Sequence, residues 1–163
     1  MVMRGHGYSL IELMIALAIF GSLLVSAGNL TTNWIASSRV QDSVGVLTQG
    51  VSRAKAMALR NPGGVAGASA ASILCIDGTT VRLFAANGSP PTAANCQSAN
   101  AAWTAQLHAS SAVNVAGGAL SCLAFSNRGL PVNPASGSGT DNCALSSSIV
   151  VSSGSTSASV VLN

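Results

Sequence analysis

The residues able to do chemistry are few: four cysteines, two histidines, four carboxylates and many serines. Cys75, Cys96, Cys122 and Cys143 are even in number, and none forms a Cys-x-x-Cys pair. Zinc sites use closely spaced thiolates, so this wide spacing points to disulfides and an oxidising compartment. Four cysteines allow three connectivities. The consecutive pairing, Cys75 with Cys96 and Cys122 with Cys143, is favoured, because each bridge closes a loop of about 20 residues worth about 3 kcal/mol in chain entropy. The other two connectivities stay open. A metal site would have to add His108, the one histidine far from the N-terminus. A Ser-His-Asp set can be written from the serines, His108, Asp77 and Asp141, but any serine-rich chain permits that, and no Gly-x-Ser-x-Gly elbow is present. Asp77 falls at a hairpin turn and Asp141 in a Gly/Ser/Asn loop. No glycine-rich stretch follows a strand and opens a helix, so nucleotide binding has no support. The expectation is a protein that is not an enzyme and uses no cofactor or metal.

Composition narrows the class. The chain has 163 residues, of which 48% are hydrophobic, 4% aromatic and 7% charged. Soluble domains carry about 25% charged residues, so this is not a typical cytosolic enzyme. Seven Lys+Arg stand against four Asp+Glu, a net charge of +3 with no basic run. Past Pro62 the cations are Arg82 and Arg128, too few and too scattered to hold a phosphate backbone. Nucleic acid is therefore not an expected partner. In so aromatic-poor a chain, Trp103 reads as a lid on the core rather than an adhesive side chain.

The N-terminus carries the strongest signal. Residues 13–27 are uncharged, and residues 8–27 have the roughly 20-residue length that crosses a bilayer core. Glu12 interrupts the apolar pattern. A carboxylate costs about 2.5–3.5 kcal/mol at the bilayer centre and less at its edge, so Glu12 either snorkels to the cytoplasmic headgroups or meets a partner. Two processing routes fit. In one, Arg4 and His6 begin a secretory signal peptide, residues 13–24 form its apolar core, and cleavage after Val25-Ser26-Ala27 releases a chain beginning at Gly28. In the other, cleavage follows Gly7 and the apolar segment stays as an anchor.

Gly7-Tyr8-Ser9-Leu10-Ile11-Glu12-Leu13 resembles the prepilin motif of type IV pilins and type II secretion pseudopilins, Gly-Phe-Thr-Leu-Ile-Glu-Leu, with tyrosine for phenylalanine and serine for threonine. The resemblance implies that a membrane prepilin peptidase cuts between Gly7 and Tyr8 and N-methylates the new terminus. It implies that Glu12 neutralises the N-terminal amine of a neighbouring subunit. The implied partners are other pilins or pseudopilins, the prepilin peptidase, an inner-membrane assembly platform and the membrane itself.

The elements that would carry these residues follow from periodicity. Val40, Val44, Leu47, Val51, Ala54 and Ala58 form one apolar stripe at helical spacing, opposite Arg39, Asp42, Gln49, Arg53 and Arg60, with Lys55 flanking. A helix over residues 8–60, about 80 Å long, is stopped at Asn61 by Pro62 and the Gly63-Gly64 pair. Five β-like runs follow, at residues 72–76, 79–85, 119–126, 147–152 and 157–162. Asp77-Gly78 and Gly154-Ser155 turn hairpins between the first and last pairs. Residues 89–91 and 131–141 read as loops. The fold class is α+β: a long N-terminal helix, transmembrane in its first half, packed on a small antiparallel β-sheet head, the pilin fold. The segments are a leader at 1–7, a transmembrane and filament-core helix at 8–28, an amphipathic periplasmic helix at 29–61 and a β-rich head at 62–163.

Two further stretches refine the resemblance. Val51-Ser52-Arg53-Ala54-Lys55-Ala56-Met57-Ala58-Leu59-Arg60-Asn61 is similar to the helix end of H-type pseudopilins and related type IV pilus minor pilins, with Lys55 where an acidic residue is common. Ala124-Phe125-Ser126-Asn127-Arg128-Gly129 resembles their Phe-x-x-x-Gly turn, while Gly154-Ser155 replaces their Gly-Arg turn. The expected function is a minor pilin or pseudopilin in a type II secretion pseudopilus or a type IV pilus tip. It would wait in the inner membrane as a single-pass protein with a periplasmic head, and then enter the filament. The alternatives are a major type IV pilin and a soluble binding domain released at Ala27.

Overall fold

The computed structural model describes residues 9–88, 92–116, 118–134, 141–146 and 148–162, with residues 26–30 as helical backbone. Gly7 and Tyr8, the expected processing site, lie outside them. The fold is α+β, a long N-terminal helix followed by two antiparallel sheets. The chain divides between Ile35 and Ala36 into two compact units.

Helix α1 (Leu10–Arg60) contains 51 residues. Its first turn closes on the Ser9 carbonyl, which accepts from the amides of Glu12 at 3.0 Å and Leu13 at 3.2 Å. Ser9 and Glu12 have the residue types and spacing of a capping box, and a carboxylate in the first turn opposes the positive end of the helix dipole. The helix ends at Asn61, whose φ of 44° is left-handed. Asparagine tolerates that conformation better than most residues because its short amide bonds locally. Here its Oδ1 accepts from the Val65 amide at 3.0 Å and its Nδ2 donates to the Val65 carbonyl at 2.8 Å, bracketing the Pro62-Gly63-Gly64 turn. A side chain at Gly63 would meet the Ala86 backbone at 2.5 Å, so only glycine fits there.

In the second unit, α1 buries Val40, Ser43, Leu47, Gly50, Val51, Ala54 and Ala58. This corrects the expected stripe at one position: Val44 is half-buried, and Ser43 takes the deep place. The Ser43 hydroxyl is satisfied by Ser111 Oγ at 2.9 Å, so its burial leaves no orphaned polar atom. Small residues bring the helix close to the sheet. A Cβ at Gly50 would stand 3.1 Å from Trp103 Cζ3 and 3.3 Å from the Leu74 methyls, and Ser72 Oγ donates to the Ala54 carbonyl at 2.8 Å.

The strands are β1 (Ser72–Asp77), β2 (Thr80–Ala85), β3 (Trp103–Gln106), β4 (Ala112–Val115), β5 (Gly118–Ala119), β6 (Cys122–Phe125), β7 (Pro131–Val132), β8 (Ser148–Ser153) and β9 (Thr156–Val161). They form two sheets, ordered β3-β2-β1-β6-β7 and β5-β4-β8-β9. Asp77 pairs with Thr80 and Ser153 with Thr156, so each hairpin has a two-residue loop, with Gly78 and Gly154 at positive φ. β6 is buried along its whole length, as are the first four residues of β1, because the first sheet is covered on both faces at these two strands. β8 alternates instead: Ile149, Val151 and Ser153 are buried while Ser148 and Val150 are exposed.

Three expectations are corrected. The head holds two sheets where one was expected. The run at 119–126 is two strands in different sheets. The Leu120 amide donates to Val113 of β4 at 2.9 Å, and the Ser121 carbonyl accepts from Ile76 of β1 at 2.8 Å, so the chain changes sheets between these residues. Finally, β3, β4 and β7 were not anticipated, the last of them lying inside the expected loop at 131–141.

Candidate functional site on the N-terminal helix

Leu10, Ile11, Leu13, Met14, Ile15, Leu17, Ile19, Phe20, Leu23, Leu24 and Val25 all stand exposed on the first half of α1. Leu23, Leu24 and Val25 are consecutive, and helix positions step by about 100°. They therefore show that the apolar surface wraps the helix rather than lying in a stripe. A helix hydrophobic all round belongs inside an apolar environment. Glu12 is the charged side chain of this segment, exposed in its first turn. Among the described residues no helix is long and apolar enough to cross a membrane.

The other candidates are dispersed by the fold. Cys75 bonds to Cys96 and Cys122 to Cys143, and no free cysteine is found among the described residues. This is the consecutive pairing, and the register explains its effect. Cys75 and Cys122 are directly opposite on β1 and β6. Each reaches over the same face of the first sheet to tie down a separate loop. A cleft of about 340 Å³ lies between the two bridges, lined among others by Asp77, Arg82, Phe84 and Asp141. Its charges serve local structure. Asp77 pairs with Arg82 at 3.2 Å, both well exposed, and Asp141 Oδ2 accepts from the Cys96 amide at 3.0 Å.

His108 Nδ1 lies 3.1 Å from Ser110 Oγ, which lies 3.0 Å from Ser153 Oγ, and Nδ1 also accepts from the Ser110 amide at 3.3 Å. This chain joins a turn to β8. Asp77 and Asp141 are bonded elsewhere, and neither is hydrogen-bonded to His108. Among the described residues no group of His, Cys, Asp and Glu could hold a metal ion. Trp103 lies against the helix at Gly50, with the Arg53 guanidinium 5.5 Å from its ring centroid, and Lys55 Nζ lies 5.8 Å from the Phe125 ring. Arg128 occupies the turn in which Gly129, at φ 72°, donates to the Ser126 carbonyl at 2.8 Å. Gly50 and Ser43 position this frame and escaped sequence reasoning. Their signal was a small residue recurring at stripe spacing.

Residues 3–28 match the family described as Prokaryotic N-terminal methylation motif. No curated protein and no solved structure matches the chain.

Proposed function

We propose that this chain, whose residues 3–28 match the N-terminal methylation motif, is a minor pilin or pseudopilin of the superfamily of type IV pilins and type II pseudopilins. It acts as a structural subunit of a type II secretion pseudopilus or of a type IV pilus tip. Subunits of this superfamily are structural rather than enzymatic, are processed by prepilin peptidase and assemble with other pilins. The observation that carries the reading is the apolar helix exposed on every face, with one carboxylate in its first turn.

Cleavage between Gly7 and Tyr8 leaves Glu12 near the new terminus. The apolar helix holds the subunit in the inner membrane with its head in the periplasm, and packing of the same surface against neighbouring helices draws it into the filament. Burying each large apolar side chain is worth about 1.5–3 kcal/mol relative to leaving it in water, but lipid tails are as apolar as leucine. Entry into the filament therefore depends on close packing and polar pairing. Glu12 supplies the pairing. A buried carboxylate needs a cation, and the amine of an adjacent subunit is one. The resemblance of residues 51–61 and 124–129 to H-type pseudopilins supports the minor, tip-located role.

Intact mass and N-terminal sequence of the protein from its native membrane test this. The expected chain begins with N-methylated Tyr8. A chain beginning at Gly28 would overturn the reading and leave a secreted head. Abundance in sheared filaments separates the tip role from a bulk fibre subunit, which would dominate such preparations.

A further inference from the structure

The helix that carries the apolar surface does not become polar at once. From Leu13 to Ser38 the sequence has no charged residue, so Glu12 and Arg39 are consecutive charges along α1. Near the far end of this interval stands Trp34, 74% exposed. It lies about 32 Å along the axis from Leu13, against about 30 Å for the hydrocarbon core. The residues just before it, Thr31, Thr32 and Asn33, are polar and uncharged. Such side chains suit the headgroup layer.

Tryptophan is costly to expose to water. Its ring is large and apolar, while its N–H seeks a polar partner. An exposed tryptophan therefore needs an environment that is apolar on one side and wet on the other. The bilayer interface is such an environment, and tryptophan is enriched there.

We infer that Trp34 is an interfacial anchor that sits in the periplasmic headgroup layer of the inner membrane and sets the depth of the helix before assembly. This rests on the membrane-anchored reading above. It moves the outer boundary of the embedded segment from residue 28 to Trp34. The occupant of the exposed Trp34 surface is lipid, with ring and backbone at headgroup level.

Depth-dependent fluorescence quenching tests it. The full-length chain carrying Trp103→Phe, with Trp34 as its single tryptophan, is reconstituted into phosphatidylcholine/phosphatidylglycerol vesicles. The lipids carry bromine either near the headgroup end of the acyl chain or near its methyl end. Quenching is expected to be at least about twofold stronger with shallow bromine, as for an interfacial ring. Stronger quenching by deep bromine overturns the inference, because Trp34 would then lie within the hydrocarbon. Absence of quenching overturns it too, as does a blue-shifted emission that bromine leaves unchanged, which would mean that another subunit covers the ring. If Trp103→Phe fails to fold, subtracting the signal of Trp34→Phe from that of the unaltered chain isolates the same quantity. The N-terminal sequence of the protein in native membranes separates the two readings. A chain beginning at Tyr8 with unquenched Trp34 sinks the anchor alone, whereas a chain beginning at Gly28 sinks the filament subunit itself.

Discussion

One helix serves two environments, and its halves are written differently. Before Val25, apolar side chains face every direction and all are exposed. After Val40, one stripe is buried under the sheets while Asp42, Gln49, Arg53 and Arg60 face outward. The second half satisfies its apolar surface within the chain. The first half cannot, because no sheet is present in its unit to cover it. The comparison teaches that amphipathicity records a helix with its own partner in the fold, whereas all-round hydrophobicity records a partner outside it.

The largest expected effect breaks the core on which the second half packs. Phe125→Ala removes a fully buried ring and should cost about 3–5 kcal/mol of head stability, read by urea unfolding of the full chain in detergent. Unchanged stability would mean that the core lies elsewhere. Comparable in size but confined to the first half, Glu12→Ala should leave that unfolding curve in place yet abolish filament incorporation. Stranding a partner amine in an apolar interface costs about 3–5 kcal/mol. Incorporation at the unaltered level, measured by immunoblotting of sheared filaments, would remove Glu12 from assembly.

Opening the Cys122–Cys143 bridge with alanines at both positions should cost about 2–4 kcal/mol. The unfolding midpoint checks it, and peptide mapping should show Cys75–Cys96 intact. Next, Gly50→Val places branched methyls against Trp103 and Leu74 and should cost about 1–3 kcal/mol by overpacking. A stabilised variant would show that the helix can lift from the sheet without loss. The smallest effect sharpens the contrast: Leu17→Ala should change head stability by less than about 0.5 kcal/mol. A larger shift in the unfolding midpoint would show that the first half helps to hold the head.

Much of this arrangement is legible from local pattern. The helix could be read to its end because the stripe and the Asn61-Pro62-Gly63-Gly64 stop are encoded within a few residues of where they act. The two hairpin turns were legible for the same reason, since Gly78 and Gly154 supply the positive φ that a two-residue turn demands. The methylation motif is equally local: residues 3–28 carry it without help from the head.

What the sequence determined by itself is therefore what short-range periodicity and turn chemistry can write: the helix, its two characters, two hairpins, and a cysteine set that allowed three pairings. The tertiary structure decided the rest. It chose the consecutive disulfides, set Cys75 opposite Cys122 without joining them, and divided residues 119–126 between two sheets at Leu120 and Ser121. It made strands of Trp103–Gln106, Ala112–Val115 and Pro131–Val132, which are too short to carry a period of their own. A short strand is stabilised by the ladder it joins: β3 pairs with β2 and β4 with β8, partners far along the chain that no local pattern can announce, while β7 pairs with the neighbouring β6 over too few residues to show a period.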